Sequence, residues 1–199
     1  MKNIVYKSDQ IEKYFSKNRI VWEDFYESER RIITALDLNS GSKVLDIGCG
    51  CGGLGIAIKN KFGVSDYVGI EINAVAAETG KRLNPLANIY SGDFVDISNL
   101  ELQSKEFDVV FSLSCFDWNI QFSKMLDMAW KHVAPGGSLV LTLRLTKEAS
   151  CTDMNISYQY INYEGLRLGE RAAYVVLNAA QLFRDLTLLE PSKIKGYGY

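Results

Sequence analysis

VLDIGCGCGGLGIAI, residues 44–58, decides the fold of this chain. Val44, Leu45 and Ile47 form a short apolar run with β-branched residues, the pattern of a strand covered on both faces. Gly48, Gly50, Gly52 and Gly53 follow at once. Glycine permits positive φ and lets a ligand touch bare backbone, so this density points to close approach of a ligand. Leu54, Ile56, Ala57 and Ile58 then lead into a helix that packs back on the strand. Amides at the start of that helix can hydrogen-bond a ligand.

Two ligand classes use such a turn. Taken literally, Gly48-x-Gly50-x-x-Gly53 fits the dinucleotide fingerprint, with Glu71 downstream for a ribose hydroxyl. Asp46 argues the other way. It stands at the strand end, where a pyrophosphate would lie close by, and a carboxylate repels a dianion there. The same carboxylate favours a ligand with positive charge. S-adenosylmethionine carries a ribose, an adenine, an ammonium and a sulfonium, and no phosphate.

Asp46-x-Gly48-x-Gly50-x-Gly52 resembles the first motif of the class I S-adenosylmethionine-dependent methyltransferases, and later landmarks follow in that family's order over residues 42–146. The resemblance implies an α/β fold: a three-layer α-β-α sandwich around a mostly parallel central sheet. It places Asp46, Gly48, Cys49 and Gly50 at the cofactor. Glu71, at the end of a second strand (66–72), is expected to accept from the ribose hydroxyls, with Ile72 against the adenine. Asn73 is placed to cap the next helix (74–83), which Pro85 ends. After a short third strand (88–91), Asp93 matches the family's acceptor for the adenine amino group, and Phe94 the residue beside the ring.

A fourth strand, 107–113, leads into the loop Ser114-Cys115-Phe116-Asp117-Trp118-Asn119. Ligands of open α/β sheets bind beyond the carboxyl ends of the strands, where strand order reverses. The backbone at Ser112 and Leu113 is therefore expected near the methionine part of the cofactor. Phe116, Asp117 and Trp118 are the expected acceptor contacts, with Asp117 the candidate general base. The loop lacks the Asn/Asp-Pro-Pro-aromatic sequence of family members that methylate nucleic-acid or glutamine amino groups. Its absence counts against those acceptors. A helix over 121–133 carries His132 at its end, on the side away from the ligand edge. A fifth strand is expected over 138–145.

Outside this core the sequence is less regular. Residues 9–38 read as helix in two pieces, with Trp22, Phe25, Ile32, Ile33 and Leu36 near helical spacing. In the resemblance such a segment covers the cofactor, which makes Tyr14, Phe15, Trp22 and Tyr26 candidates for the substrate pocket. The polar stretch 146–171, with Tyr158, Tyr160 and Tyr163, is either a lid or a surface excursion. Asn178 is placed to cap a helix through 186, and 187–196 reads as a sixth strand. No apolar run remains for the seventh, antiparallel strand usual in the family.

The length of 199 residues suits one domain, divided here into a helical cap (1–40), a cofactor core (41–146), the insert (147–172) and a C-terminal part (173–199). A net charge of -2 gives no bulk attraction to nucleic acid. No run is apolar enough to span a bilayer, and the N-terminus lacks a signal-peptide core, so a cytoplasmic protein is expected. Four cysteines and a single histidine, without C-x-x-C spacing, predict no metal site. The expected function is methyl transfer from S-adenosylmethionine to a nucleophile on a small molecule. An NAD-binding oxidoreductase and an inactive methyltransferase-like binding protein are the alternatives. Oligomeric state is not legible.

Overall fold

Val44, Leu45 and Ile47 lie at the centre of a five-stranded sheet in the computed structural model, which describes residues 8–96, 102, 104–162 and 164–198. The order is β3-β2-β1-β4-β5 and every pairing is parallel. The strands are β1 (Lys43–Ile47), β2 (Asp66–Glu71), β3 (Asn88–Ser91), β4 (Phe107–Ser112) and β5 (Val133–Leu141). Chain order reverses between β1 and β4, so the carboxyl edge opens a crevice there.

Strand alternation divides the apolar residues between two layers. Leu45, Ile47, Val68, Ile70 and Val110 face α5 (Phe122–Lys131), where Phe122, Met125, Leu126 and Ala129 meet them. Val44, Tyr67, Val109, Phe111 and Val140 face the other way. They bury Leu54, Ala57 and Ile58 of α3 (Gly53–Phe62), Ala77 of α4 (Ala74–Leu83) and Ile33 of α2 (Glu27–Thr34). Each fully buried aliphatic side chain contributes about 1.5–3 kcal/mol. The result is the α-β-α sandwich.

The glycine turn and the caps follow the sequence closely. Asn73 accepts from the Ala76 amide at 2.9 Å and starts α4. Asn178 does the same for α6 (Ala179–Leu188), accepting from Gln181 at 2.9 Å. Three expectations need correction. The fifth strand begins at Val133, not 138: Phe107 pairs with Val133, the chain bulges through Ala134-Pro135-Gly136-Gly137, and regular pairing resumes at Ser138. It also ends at Leu141. Leu145–Thr146 (β6) instead pairs with Leu177–Asn178 (β9) in a separate two-stranded ladder. Finally, 187–196 is no sixth strand. Thr187 and Leu188 extend α6, because Leu182, Leu186 and Leu189 form one face against the sheet. Among the described residues the main sheet ends at β5. The expected connection over 97–106 and Tyr163 lie wholly or partly outside the described residues. No helix among them is long and apolar enough to cross a membrane.

The N-terminal segment is less helical than its spacing predicts. It holds α1 (Gln10–Phe15), a 3-10 turn at Trp22–Asp24, and α2. The insert is partly a hairpin, β7 (Tyr158–Tyr160) against β8 (Arg171–Ala173). Both segments fold over the carboxyl edge. Ile11 of α1, Ile161 and Ala172 of the insert, Cys51 and Ala76 form one small core. The Ser8 amide donates to Glu170 Oε2 at 3.0 Å, and Asn73 Nδ2 donates to the Ser8 carbonyl at 3.0 Å. Between α1 and α2 the chain presses on the glycine turn. A Cβ on Gly53 would stand 2.1 Å from the Arg19 carbonyl oxygen.

That contact is backbone against backbone and has no side chain to yield. Gly53→Ala should therefore destabilise the protein by about 1–3 kcal/mol in urea unfolding. An unchanged midpoint would show that the segment around Arg19 is not seated on the turn.

Candidate active site

A cavity of about 390 Å³ lies over the carboxyl edge, from β2 across β1 to the segments after β4 and β5. Its floor is the glycine turn. Gly48 takes φ +77°, and a Cβ there would fall 2.4 Å from Cys115 Sγ, so glycine is required twice over. The Gly48 and Cys49 amides both donate to the Ile70 carbonyl, at 2.8 and 3.1 Å, which pins the turn to β2.

Two buried carboxylates form the wall. Glu71 accepts from the Gly50 amide through Oε2 and from the Asn73 amide through Oε1, each at 2.8 Å. Burial raises its pKa, and the amides of Asn73, Gly50 and Ile72 oppose the rise. Asp46 lies on the Val44 face of β1. The register pairs Val44 with Tyr67, and the Tyr67 hydroxyl donates to Asp46 Oδ2 at 2.6 Å. Burial pushes the Asp46 carboxyl up to about 7, against the Tyr67 hydrogen bond and the Arg19 charge, which lower it.

Arg19 is a site residue that sequence reasoning missed. Its Nη2 donates to both oxygens of Glu29 at 3.0 Å, and its guanidinium carbon lies 4.6 Å from the Phe25 ring centroid. Glu29 is buried, and also accepts from the Tyr26 amide at 3.0 Å, where α2 begins. Helical spacing alone gives no signal for Arg19, which stands between helices with φ +60°. Ile11, Asn18, Arg144 and Ile161 also line the cavity and were not foreseen, while Ser114 and Cys115 line it from the loop expected there.

Asp46, Gly48, Cys49, Gly50, Glu71, Ile72, Trp118 and Tyr26 all reach the cavity wall, as do Tyr14, Phe15 and Leu113. Six expected residues do not, Asp117 among them. Ser112 is fully buried within β4, and its carbonyl accepts from the Thr142 amide at 3.2 Å. Asp93 accepts from the Val95 amide at 3.2 Å and starts a 3-10 turn. Phe94 turns into the core, its ring 5.9 Å from that of His132 at the opposite edge of the sheet. Phe116 is likewise core, edge-on to Phe122 at 5.9 Å. For both rings, apolar burial wins over exposure at the crevice. Trp22 packs on Phe62 at 5.2 Å, outside the cavity.

Asp117 is behind the wall, not on it. It is fully buried, and its Oδ2 accepts from Arg144 Nη1, which does line the cavity. Burial raises its pKa and Arg144 opposes the rise. Asp117 thus does not face the cavity, as a general base there would have to; its partner Arg144 lines the wall instead. Burial also raises the thiols, Cys51 up to about 12 and Cys49 and Cys115 higher than usual, so none is a ready nucleophile.

Residues 45–139 match the model of a methyltransferase domain. They form a class I, Rossmann-like methyltransferase domain. The match runs through the glycine turn and decides between the two cofactors that the turn admits: the family's is S-adenosylmethionine. The chain is 29% identical over 192 residues to phosphoethanolamine N-methyltransferase 3 of Arabidopsis thaliana, covering 92% of this chain and 36% of that one. It is 30% identical over 162 residues to the U6 snRNA methylphosphate capping enzyme Amus of Drosophila melanogaster, covering 70% and 54%. In fold it is similar to phosphoethanolamine N-methyltransferase 2 of Haemonchus contortus in complex with S-adenosylmethionine, with a TM-score of 0.56 and 20% identity, covering 76% and 33%. The chain thus spans between about a third and about half of these relatives' length.

The methyltransferase site leans on Glu71 even without ligand. Glu71→Ala leaves the Gly50 and Asn73 amides without their acceptor. It should lower the unfolding free energy by about 1–3 kcal/mol. Unchanged stability would show that the glycine turn holds itself.

Proposed function

We propose that this chain transfers a methyl group from S-adenosylmethionine to a nucleophile on a small molecule. The observation that carries the proposal is the pairing of two buried carboxylates, Asp46 and Glu71, on one wall of one cavity. Those acids suit the donor set of the cofactor. Glu71 has oxygen lone pairs beyond its two amides for ribose hydroxyls. Asp46 offers negative charge to an ammonium, and Arg19, near enough to lower the Asp46 pKa, offers positive charge to a carboxylate. Bare backbone at Gly48 and Gly50 admits close contact.

Asp46, Gly48, Gly50 and Glu71 would hold the cofactor, which would supply an electrophilic methyl carbon, the departing sulfur keeping the bonding pair as the acceptor's bond to carbon forms; any proton on the acceptor atom would pass to solvent when the products leave. The protein's work is placement and exclusion of water. Phe15 and Trp118 supply apolar wall, and Ile161 brings the insert over the same cavity, which supports reading 147–172 as a lid on a single domain. A cavity of about 390 Å³ must take the reactive end of both partners, which favours a small acceptor. Phosphoethanolamine, named for the Arabidopsis relative, is of that size.

Calorimetric titration with S-adenosylmethionine and S-adenosylhomocysteine, with NAD as control, tests the cofactor. Binding of the adenosyl ligands and not of NAD is expected; binding of NAD alone would overturn the proposal. The sign of a pH effect follows from Asp46. Below about 7 its carboxyl keeps its proton and loses its attraction for a cation. Affinity for S-adenosylmethionine should therefore fall as pH drops below that value, by up to about tenfold per unit. Asp46→Asn should flatten the profile. A profile that is already flat in the wild type would remove Asp46 from the ligand.

A further inference from the structure

Four charged side chains line the cavity: Arg19, Asp46, Glu71 and Arg144. The first three belong together. Asp46 and Glu71 end β1 and β2, and Arg19 acts on Asp46. Arg144 stands at the other end, on the segment that follows β5.

Arg144 is held in a frame. Its Nη1 donates to Asp117 Oδ2. Its guanidinium carbon lies 4.7 Å from the Tyr174 ring centroid and 5.7 Å from that of Trp118. The two rings meet edge-on at 5.5 Å. The Arg144 carbonyl accepts from the Leu177 amide at 3.2 Å. Asp117 is 0% exposed, while the Arg144 side chain is 40% exposed. Asp117 Oδ1 finds no hydrogen-bond partner among the described residues. The pair is therefore oriented, with its carboxylate at the back and its guanidinium towards the cavity. Burying an acid in this way costs stability that an apolar pair would not. What the arrangement provides is a rigid planar cation, the geometry suited to carboxylates and phosphates.

The cofactor has a single carboxylate, and Arg19 already stands on the cofactor's half of the cavity. We infer that Arg144, positioned by Asp117 and flanked by Trp118 and Tyr174, binds an oxyanion group, carboxylate or phosphate, of the methyl acceptor. The inference rests on the methyl-transfer reading of the same cavity. It makes Arg144 a determinant of acceptor class, with acceptors that carry an anionic group favoured over those that do not.

The test titrates protein saturated with S-adenosylhomocysteine with inorganic phosphate, malonate and neutral malonamide, followed by tryptophan fluorescence and calorimetry. Saturable binding of at least one anion is expected, with none for malonamide. The tighter anion separates phosphate from carboxylate recognition. Arg144→Gln should weaken the anion about tenfold or more. Its affinity for S-adenosylhomocysteine should change by less than about twofold. Asp117→Asn should weaken the anion in the wild-type background and change nothing once Arg144 is Gln, which a merely structural role would not produce. Should the single Arg144 variant fail to fold, the double variant Asp117→Asn/Arg144→Gln removes the unpaired buried carboxylate and carries the same comparison. Absence of anion binding, or anion binding indifferent to Arg144, overturns the inference. So does an equal loss of S-adenosylhomocysteine affinity, which would assign Arg144 to the cofactor. If the wild type does not bind S-adenosylhomocysteine at all, the methyl-transfer reading fails, and this inference with it.

Discussion

One carboxylate ties the cofactor half of this protein together. Glu71 ends β2 and holds the Gly50 amide with one oxygen and the Asn73 amide with the other. The first bond fixes the turn after β1, and the second fixes the entry to α4. Two crossovers of the parallel sheet are thereby joined at a single buried acid. Its cost is visible in its raised pKa, since burial penalises the charged form and the amides recover only part of that. The same demand recurs around the cavity. Asp46 leans on the Tyr67 hydroxyl, Glu29 on Arg19, and Asp117 on Arg144. Each acid is buried and each has a donor supplied from a different element. The site is thus a set of local electrostatic bargains set on an apolar sheet that provides the stability.

Register is what brings these groups together. Pairing Val44 with Tyr67 puts the tyrosine on the same face as Asp46, two residues along. A slip of one residue would turn that hydroxyl into the opposite layer. The two apolar layers of the sheet enforce the register, because each strand of the core has one correct assignment of inward side chains. Packing on the sheet therefore specifies a hydrogen bond in the site.

This also explains how far the sequence could be read. Between Lys43 and Asn73 local pattern and tertiary structure agree; beyond β3, Asp93 and Phe94 already turn away from the cavity. Short apolar runs became strands, glycines became the turn, and Asn73 capped its helix at the expected place. There the site is made of backbone and of side chains at strand ends, whose positions follow from strand order. Beyond β4 the site depends on which way single side chains turn. Phe116 and Asp117 are in the right loop, but one entered the core and the other went behind Arg144. Arg144 itself reads as an ordinary exposed position in the alternating Leu143-Arg144-Leu145. Its role follows from Trp118 and Tyr174, which come from distant segments. Arg19 was hidden for a similar reason, since its partner Glu29 sits in what looks like the polar stretch of α2. At the C-terminus the apolar residues from Thr187 onwards fit a strand by composition, yet the helix capped by Asn178 takes Thr187 and Leu188 because its face meets the sheet, and no strand follows among the described residues.

Ser8 is held between the start of α4 and Glu170, the latter 162 residues away along the chain. A contact of this separation closes nearly the whole polypeptide into one loop, and its entropy cost must be met by structure already formed. The sheet can supply that structure; the first and last thirds of the chain cannot supply it for each other. The roof over the cavity is accordingly a late event in folding, completed only after the floor exists. Local opening at this belt then needs no loss of the sheet, so the roof and the floor can differ widely in hydrogen-exchange protection within one cooperative protein.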